Sequence, residues 1–218
     1  MSIRVVIADD HPVVRDGLRL AIEGSGKGIE IVGEASDGME VLKVAGTKPA
    51  GVFILDIMMP KLNGIETARE LLRRFPGAKV IMLSLHDTKA MVEEALAAGA
   101  QGFLTKETAT RNVVDAVAEV HAGRYYLCPA IAHFVVEAGL EWKKGLRQRG
   151  EAPAALTGQE RKVLQLIAEG SSTKEIADML GLSVNTVHAH RNRVMAKLNI
   201  HKQTELVHYA LKADIAKL

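Results

Sequence analysis

Five polar side chains stand where short apolar runs give out: Asp9 and Asp10 after IRVVIA (3–8), Asp56 after GVFIL (51–55), Ser84 after AKVIML (78–83) and Lys106 after QGFLT (101–105). Gathered at one edge of a sheet, three carboxylates repel one another unless a cation joins them, and hard oxygen donors with open positions suit Mg²⁺. Ser84 adds a hydroxyl and Lys106 a fixed positive charge, which is what an anionic group bonded to a carboxylate needs around it. The chemistry that fits this set is transfer of a phosphoryl group.

Periodicity supplies the elements that must bring these side chains together. The five runs, counting IEIVGEA (29–35), alternate with stretches of amphipathic spacing near 12–23, 37–47, 62–74, 87–98 and 108–122, which predicts five βα units. Strands rich in Val and Ile with little polar alternation predict a parallel sheet covered on both faces. A flavodoxin-like strand order, 2-1-3-4-5, lays the third strand beside the first and collects Asp9, Asp10 and Asp56 at the carboxyl ends, where such sheets hold ligands.

Past residue 124 the pattern changes. Ile131, Phe134, Val135, Ala138 and Trp142 fall at helical spacing and are followed by RQRGEAPAA, an amphipathic helix and then a tether. From 153 onward there is no strand signal. TGQE (157–160) and STKE (172–175) each fit a capping box, and GLS (181–183) makes a tight turn with Ser183 as the next N-cap. The expected architecture is an α/β flavodoxin-like (βα)5 domain over 1–124, a helical linker and tether over 125–152, and a smaller all-α helix-turn-helix domain over 153–218.

Composition narrows the class. With 48% hydrophobic and 25% charged residues and no apolar stretch near the roughly 18 residues of a membrane span, the chain reads as soluble and globular. Asp9 and Asp10 cut the first apolar run short of a signal-peptide core, and the one cysteine, Cys128, has no partner for a disulfide and no metal-ligand spacing. The reading is a cytoplasmic protein. Lys plus Arg against Asp plus Glu run 15 to 17 over 1–124 and 9 to 6 over 153–218, so the helical part is the basic one.

Within that basic part, SVNTVHAHRNRVMAKL (183–198) places Val184, Val187, Val194 and Leu198 on one stripe. Asn185, His188, Ala189 and Asn192 lie opposite, flanked by Arg191, Arg193 and Lys197. A major groove admits one such helix, with short polar side chains at base edges and cations at phosphates. Charge alone also fits a solvated face; the capped three-helix context favours DNA. His188 and His190, two apart, point to different faces and do not make a metal pair.

The acidic pair, DIMMPKLNG (56–64, the pattern D-x-x-M-P-x-x-x-G), Ser84 and Lys106 resemble the receiver domain of bacterial two-component response regulators over about 3–122. Residues 156–210 resemble the LuxR-type helix-turn-helix, and the pair together resembles the NarL/FixJ family of transcriptional regulators. The resemblance implies that Asp56 takes a phosphoryl group from a sensor histidine kinase. It implies Mg²⁺ held by Asp10, Asp56 and the backbone carbonyl of Met58, with Asp9 assisting through water. Lys106 would pair with the phosphoryl oxygens, and Ser84 and Phe103 would form the switch. Met58 and His86 fall where receivers tune the lifetime of the phosphoryl group, and Met58 cannot orient an attacking water, which implies slow self-dephosphorylation. Glu107 stands where many receivers have Pro.

In the second domain the resemblance makes His188, Ala189 and Asn192 base readers, with Lys174, Thr186, His190 and Arg191 nearer the DNA backbone. Leu206, Val207 and Leu211 would supply a dimerisation face, giving a homodimer on paired half-sites of double-stranded DNA. Plainer readings stand beside these. Asp10 also fits a cap of the helix that Pro12 begins, Phe103 an ordinary core aromatic, and the last helix's apolar face a lid on its own domain. Two rival functions are a Mg²⁺-dependent phosphohydrolase, which lacks a D-x-D spacing here, and a regulator that binds DNA without phosphorylation.

Overall fold

The computed structural model describes residues 2–85, 88–132, 134 and 156–216. His86, and the stretch of the expected linker holding Val135, Ala138, Trp142 and the tether, lie outside the described residues. The chain divides into two compact units.

The first unit runs β1 (Ile3–Ala8), α1 (Pro12–Gly24), β2 (Ile29–Ala35), α2 (Gly38–Thr47), β3 (Val52–Asp56), α3 (Gly64–Arg74), β4 (Lys79–Ser84), α4 (Lys89–Ala97), β5 (Gly102–Thr105), α5 (Lys106–His121) and β6 (Tyr126–Leu127). All strand pairs are parallel, in the order β2-β1-β3-β4-β5-β6. The first five strands and their order agree with the sequence expectation. β6 was not expected, since a strand of two residues leaves no periodicity to read. It is held by Tyr126 N–H donating to Gln101 O at 2.9 Å and Cys128 N–H to Phe103 O at 3.1 Å. Residues 129–132 beyond it are helical.

The central strands are apolar at consecutive positions because both faces are covered. Val5, Val6, Ile7, Ile54, Leu55, Val80, Ile81, Met82 and Leu83 are fully buried. This register carries the polar strand ends with it: Ala8 pairs with Leu55, Asp56 with Leu83 and Ser84 with Thr105. Lys106 opens α5 rather than ending β5, with Thr105 as the N-cap residue.

The second unit holds α6 (Gly158–Ala168), α7 (Thr173–Leu180), α8 (Val184–Leu198) and α9 (Gln203–Lys212). Both expected capping boxes form. Thr157 N–H donates to Glu160 Oε2 at 2.8 Å and Ser172 N–H to Glu175 Oε2 at 2.7 Å, while each hydroxyl accepts the glutamate's own N–H at 3.3 Å. Gly181 takes φ 65°, the left-handed C-cap that turns the chain from α7 into α8. Val163, Leu166, Ile167, Ile176, Ala177 and Val187 lock α6, α7 and α8 together. Leu164, Ala168, Val194, Leu206, Ala210, Ile215 and Ala216 join α9 to α6 and α8.

Val184 corrects the expected stripe on α8. It stands at the first helical position and is 42% exposed. We expect Ser172→Ala to lower the stability of the helical unit by about 1 kcal/mol, since one N-cap acceptor is lost. The urea midpoint, with an unchanged slope, measures it.

Among the described residues no helix is long and apolar enough to cross a membrane.

Candidate functional site

The end of the sheet brings Asp9, Asp10, Asp56 and Lys106 together. Asp9 and Asp56 are buried, and the Lys106 ammonium lies 2.6 Å from Asp9 Oδ2 and 2.9 Å from Asp56 Oδ2. Lys106 therefore occupies one oxygen of each carboxylate. On the other side, Asp56 Oδ1 accepts the Met58 N–H at 3.2 Å and Asp9 Oδ1 the His11 N–H at 2.9 Å. Two buried carboxylates share one ammonium, with Asp10 beside them.

Burial, and then the neighbouring Asp9 charge, push the Asp56 carboxyl above its ordinary value, against the opposing pull of Lys106 and the Met58 N–H. Burial acts to lower Lys106, but the Asp56 and Asp9 carboxylates outweigh it and hold the ammonium above its ordinary value. A carboxyl raised in the folded state makes the fold less stable as pH climbs past the unfolded value of 3.8. Neutral Asn at position 56 escapes that cost. We expect Asp56→Asn to raise the melting temperature at pH 7 by a few degrees without divalent ions, and added Mg²⁺ to stabilise the wild type more than the variant. Differential scanning calorimetry with and without the ion reads both.

Donors from Asp9, Asp10, His11 and Asp56 lie within 4.8 Å of one another. Receiver domains typically bind Mg²⁺ at such an acidic pocket, and the oxygens present suit that ion.

The loop DIMMPKLNG has a backbone reason for its last residue. Gly64 N–H donates to Ile57 O at 2.9 Å, folding the loop back on β3. A Cβ on Gly64 would stand 2.1 Å from the Asp56 carbonyl oxygen. Asn63 then caps α3, its side chain accepting Glu66 N–H at 2.9 Å.

Ser84 is buried at the neighbouring strand end, which β3 reaches through Ile57 N–H donating to Leu83 O at 2.9 Å. Phe103 lies wholly inside, its backbone between Met82 on β4 and Leu127 on β6. His11, which the sequence reading passed over, has Nδ1 2.8 Å from Asp10 Oδ1 and 3.2 Å from Asp9 Oδ1. The signal available for it was adjacency to the acidic pair.

On the second unit, Asn192 and Lys174 are exposed, and Thr186, His188, Ala189, His190 and Arg191 are half-buried. His188 and Arg191 turn toward the start of α7, where with Ser171, Ser172, Thr173 and Gln203 they line a cavity of about 260 Å³. The fully outward positions of α8 include Asn185, Asn192 and Arg193. Asn185 was left out of the expected base readers, although its helical phase puts it beside Ala189 and Asn192.

The apolar face of α9 divides between the two readings given for it. Leu206 is fully buried in the unit's own core, and Val207 packs against that core, so Leu206 closes the domain and offers no surface to a partner. Leu211 is half-buried, and Tyr209, at 37%, is the exposed large apolar residue of α9.

A sheet whose carboxyl edge gathers acids around a lysine, followed by a capped helix-turn-helix, has clear counterparts. Residues 5–118 match the response regulator receiver domain family and residues 154–210 the luxR family of bacterial regulatory proteins. Response regulator UvrY of Escherichia coli is 36% identical over 211 residues, covering 96% of this chain and 94% of its own. Transcriptional regulatory protein DegU of Brevibacillus brevis is 31% identical and covers 100% of this chain and 96% of its own. The RcsB response regulator of Salmonella typhimurium superposes with TM-score 0.67 at 26% identity, over 97% of this chain and 98% of that one. A second RcsB structure, solved as a complex with DNA, gives TM-score 0.59 at 26% identity over the same shares, 97% and 98%.

The chain belongs to the NarL/FixJ-type response regulators, in which a receiver domain is joined to a LuxR-type helix-turn-helix. It is a DNA-binding transcriptional regulator and not an enzyme.

Proposed function

We propose that Asp56 is the phosphoacceptor of a sensor histidine kinase in the cytoplasm, and that its phosphorylation controls dimerisation and DNA binding by residues 153–218. The receiver would occupy 1–124 and a helical linker 125–152. The observation that carries this reading is the double contact of the Lys106 ammonium with Asp9 and Asp56. It fixes a buried carboxylate beside a cation at the strand end where the transferred group must sit.

In the transfer, Asp56 Oδ attacks the phosphorus of the kinase's phosphohistidine. A P–O bond forms, the P–N bond breaks, and the departing imidazole takes the electron pair. Lys106 exchanges its contact with Asp56 for one with the phosphoryl oxygens. Asp10, Asp56 and the Met58 carbonyl, with Asp9 acting through water, would hold Mg²⁺, which would supply charge neutralisation at those oxygens. Ser84 turns to donate its hydroxyl to the phosphoryl group, and Phe103 shifts into the space it leaves, changing the surface of α4, β5 and α5.

On DNA, Asn185, His188, Ala189 and Asn192 face the major groove. Lys174, Thr186, His190 and Arg191 serve the backbone. Dimer contacts on α9 come from Leu211 and Tyr209.

Fluorescence anisotropy on a duplex selected from a random pool tests the reading. Acetyl phosphate tightens binding by the wild type and leaves Asp56→Asn unchanged. Asn192→Ala weakens binding to the selected site by about 1–3 kcal/mol and leaves random DNA nearly unaffected. Equal binding with and without the phosphodonor would leave the receiver without control of the helix-turn-helix.

A further inference from the structure

We propose that His11 is a fourth ligand of the acidic site through Nδ1. Its nitrogen would bias the site toward first-row transition ions over Mg²⁺, relative to a set of oxygens alone, and Mn²⁺ serves as the spectroscopic probe. The inference rests on the reading of Asp9, Asp10 and Asp56 as a cation site and adds a residue and a selectivity to it.

The argument begins with where a cation can stand. Lys106 holds Oδ2 of both Asp9 and Asp56, so a cation must approach from the Oδ1 side. His11 Nδ1 is on that side, 2.8 Å from Asp10 Oδ1 and 3.2 Å from Asp9 Oδ1. Around an octahedral ion with ligands at about 2.1 Å, adjacent donor atoms lie about 3 Å apart. The imidazole nitrogen has that spacing to Asp10 Oδ1 and, for a ligand acting directly or through water, to Asp9 Oδ1, and one donor atom from each of the four residues lies within 4.8 Å of the others.

The main chain that carries the ring is fixed in advance. The His11 N–H is tied to Asp9 Oδ1 at 2.9 Å, and Pro12 at the start of α1 fixes the backbone that follows. Binding then has only the ring itself to order. The His11 side chain is 54% exposed, which leaves Nε2 free for water and makes the position tolerant of replacement.

Imidazole nitrogen favours Mn²⁺, Co²⁺ and Zn²⁺ over Mg²⁺, which holds water and oxygen donors. A mixed nitrogen and oxygen set with open positions thus selects differently from the carboxylates by themselves. An ordinary hydrogen bond from His11 to Asp10 has the same length, so spectroscopy must separate the two.

The test uses the untagged full chain with one equivalent of Mn²⁺, examined by electron spin-echo envelope modulation, beside titrations of Mn²⁺ and Mg²⁺. Wild type is expected to show directly coordinated nitrogen-14, and His11→Gln, which keeps an oxygen donor, to lose it. The Mn²⁺ dissociation constant should weaken at least about tenfold in His11→Gln while that for Mg²⁺ changes little. Nitrogen coupling absent from the wild type, or retained in the variant, overturns the proposal, as does an unchanged preference between the ions. Mg²⁺ binding that survives in both proteins leaves the carboxylate site standing even then. Failure of the wild type to bind either ion brings down both.

Discussion

Incubated with Mg²⁺ and acetyl phosphate, the wild-type chain gains the mass of one phosphoryl group, and Asp56→Asn gains none. The contrast is complete because the amide has no nucleophilic oxygen, while the remaining carboxylates are badly placed to substitute. Asp9 is held more tightly than Asp56, its Oδ2 2.6 Å from Lys106 and its Oδ1 2.9 Å from the His11 N–H, against 2.9 and 3.2 Å for the matching contacts of Asp56. Asp10 sits on the partly exposed side of the cluster, away from the Lys106 contacts. Intact-mass spectrometry reads the result directly. Equal gain by both proteins would move the acceptor away from Asp56. No gain by either, from protein with a native circular dichroism spectrum and with the cognate kinase also supplied, would favour the regulator that binds DNA without phosphorylation.

The second large effect is expected at Gly64, which carries no chemistry. A methyl group there meets the Asp56 carbonyl oxygen at 2.1 Å, its carbon at 2.9 Å and Ile57 Cα at 3.0 Å. All three are backbone, so no side chain can swing aside. Relief must come from prising the start of α3 off the end of β3, which breaks the Gly64 N–H to Ile57 O bond and moves Asp56. Overpacking typically costs 1–3 kcal/mol, and a backbone obstacle places Gly64→Ala at about 3 kcal/mol or more. Gly46→Ala is the matched control. It lies within α2 with nothing inside 4 Å, and is expected to stabilise by about 0.5–1 kcal/mol. Urea denaturation ranks the three proteins, and hydrogen exchange locates the loss at β3 and α3.

These two cases also show what could be read in advance. Asp56, Asp9, Asp10, Ser84 and Lys106 were identifiable because each closes an apolar run, and a parallel sheet puts all such ends on one edge. Their pairing was not: that Lys106 takes one oxygen from each of two acids depends on side-chain geometry. His11 escaped because a histidine beside two acids is common and its ring direction is not in the sequence. Val184 misled because the stripe on α8 was drawn by phase alone, and phase does not say which turns of a helix its neighbours cover. Leu206 was open to two readings because an apolar helix face looks the same whether its cover is its own domain or a second copy. Asn185 needed the opposite inference, from exposure to reach.

β6 bears on where this protein can be cut. Without Tyr126 and Leu127, β5 would be the sheet's outer strand, and the carbonyl groups of Gln101 and Phe103 would be open to any passing extended chain. Cys128 and Ile131, both fully buried just beyond it, show that the cover continues past the strand. Severing the chain at residue 124 would strip the sheet of this selvedge. The shortened piece would keep its five principal strands and acquire an adhesive border, so its self-association would report the cut and not the biology of the whole protein.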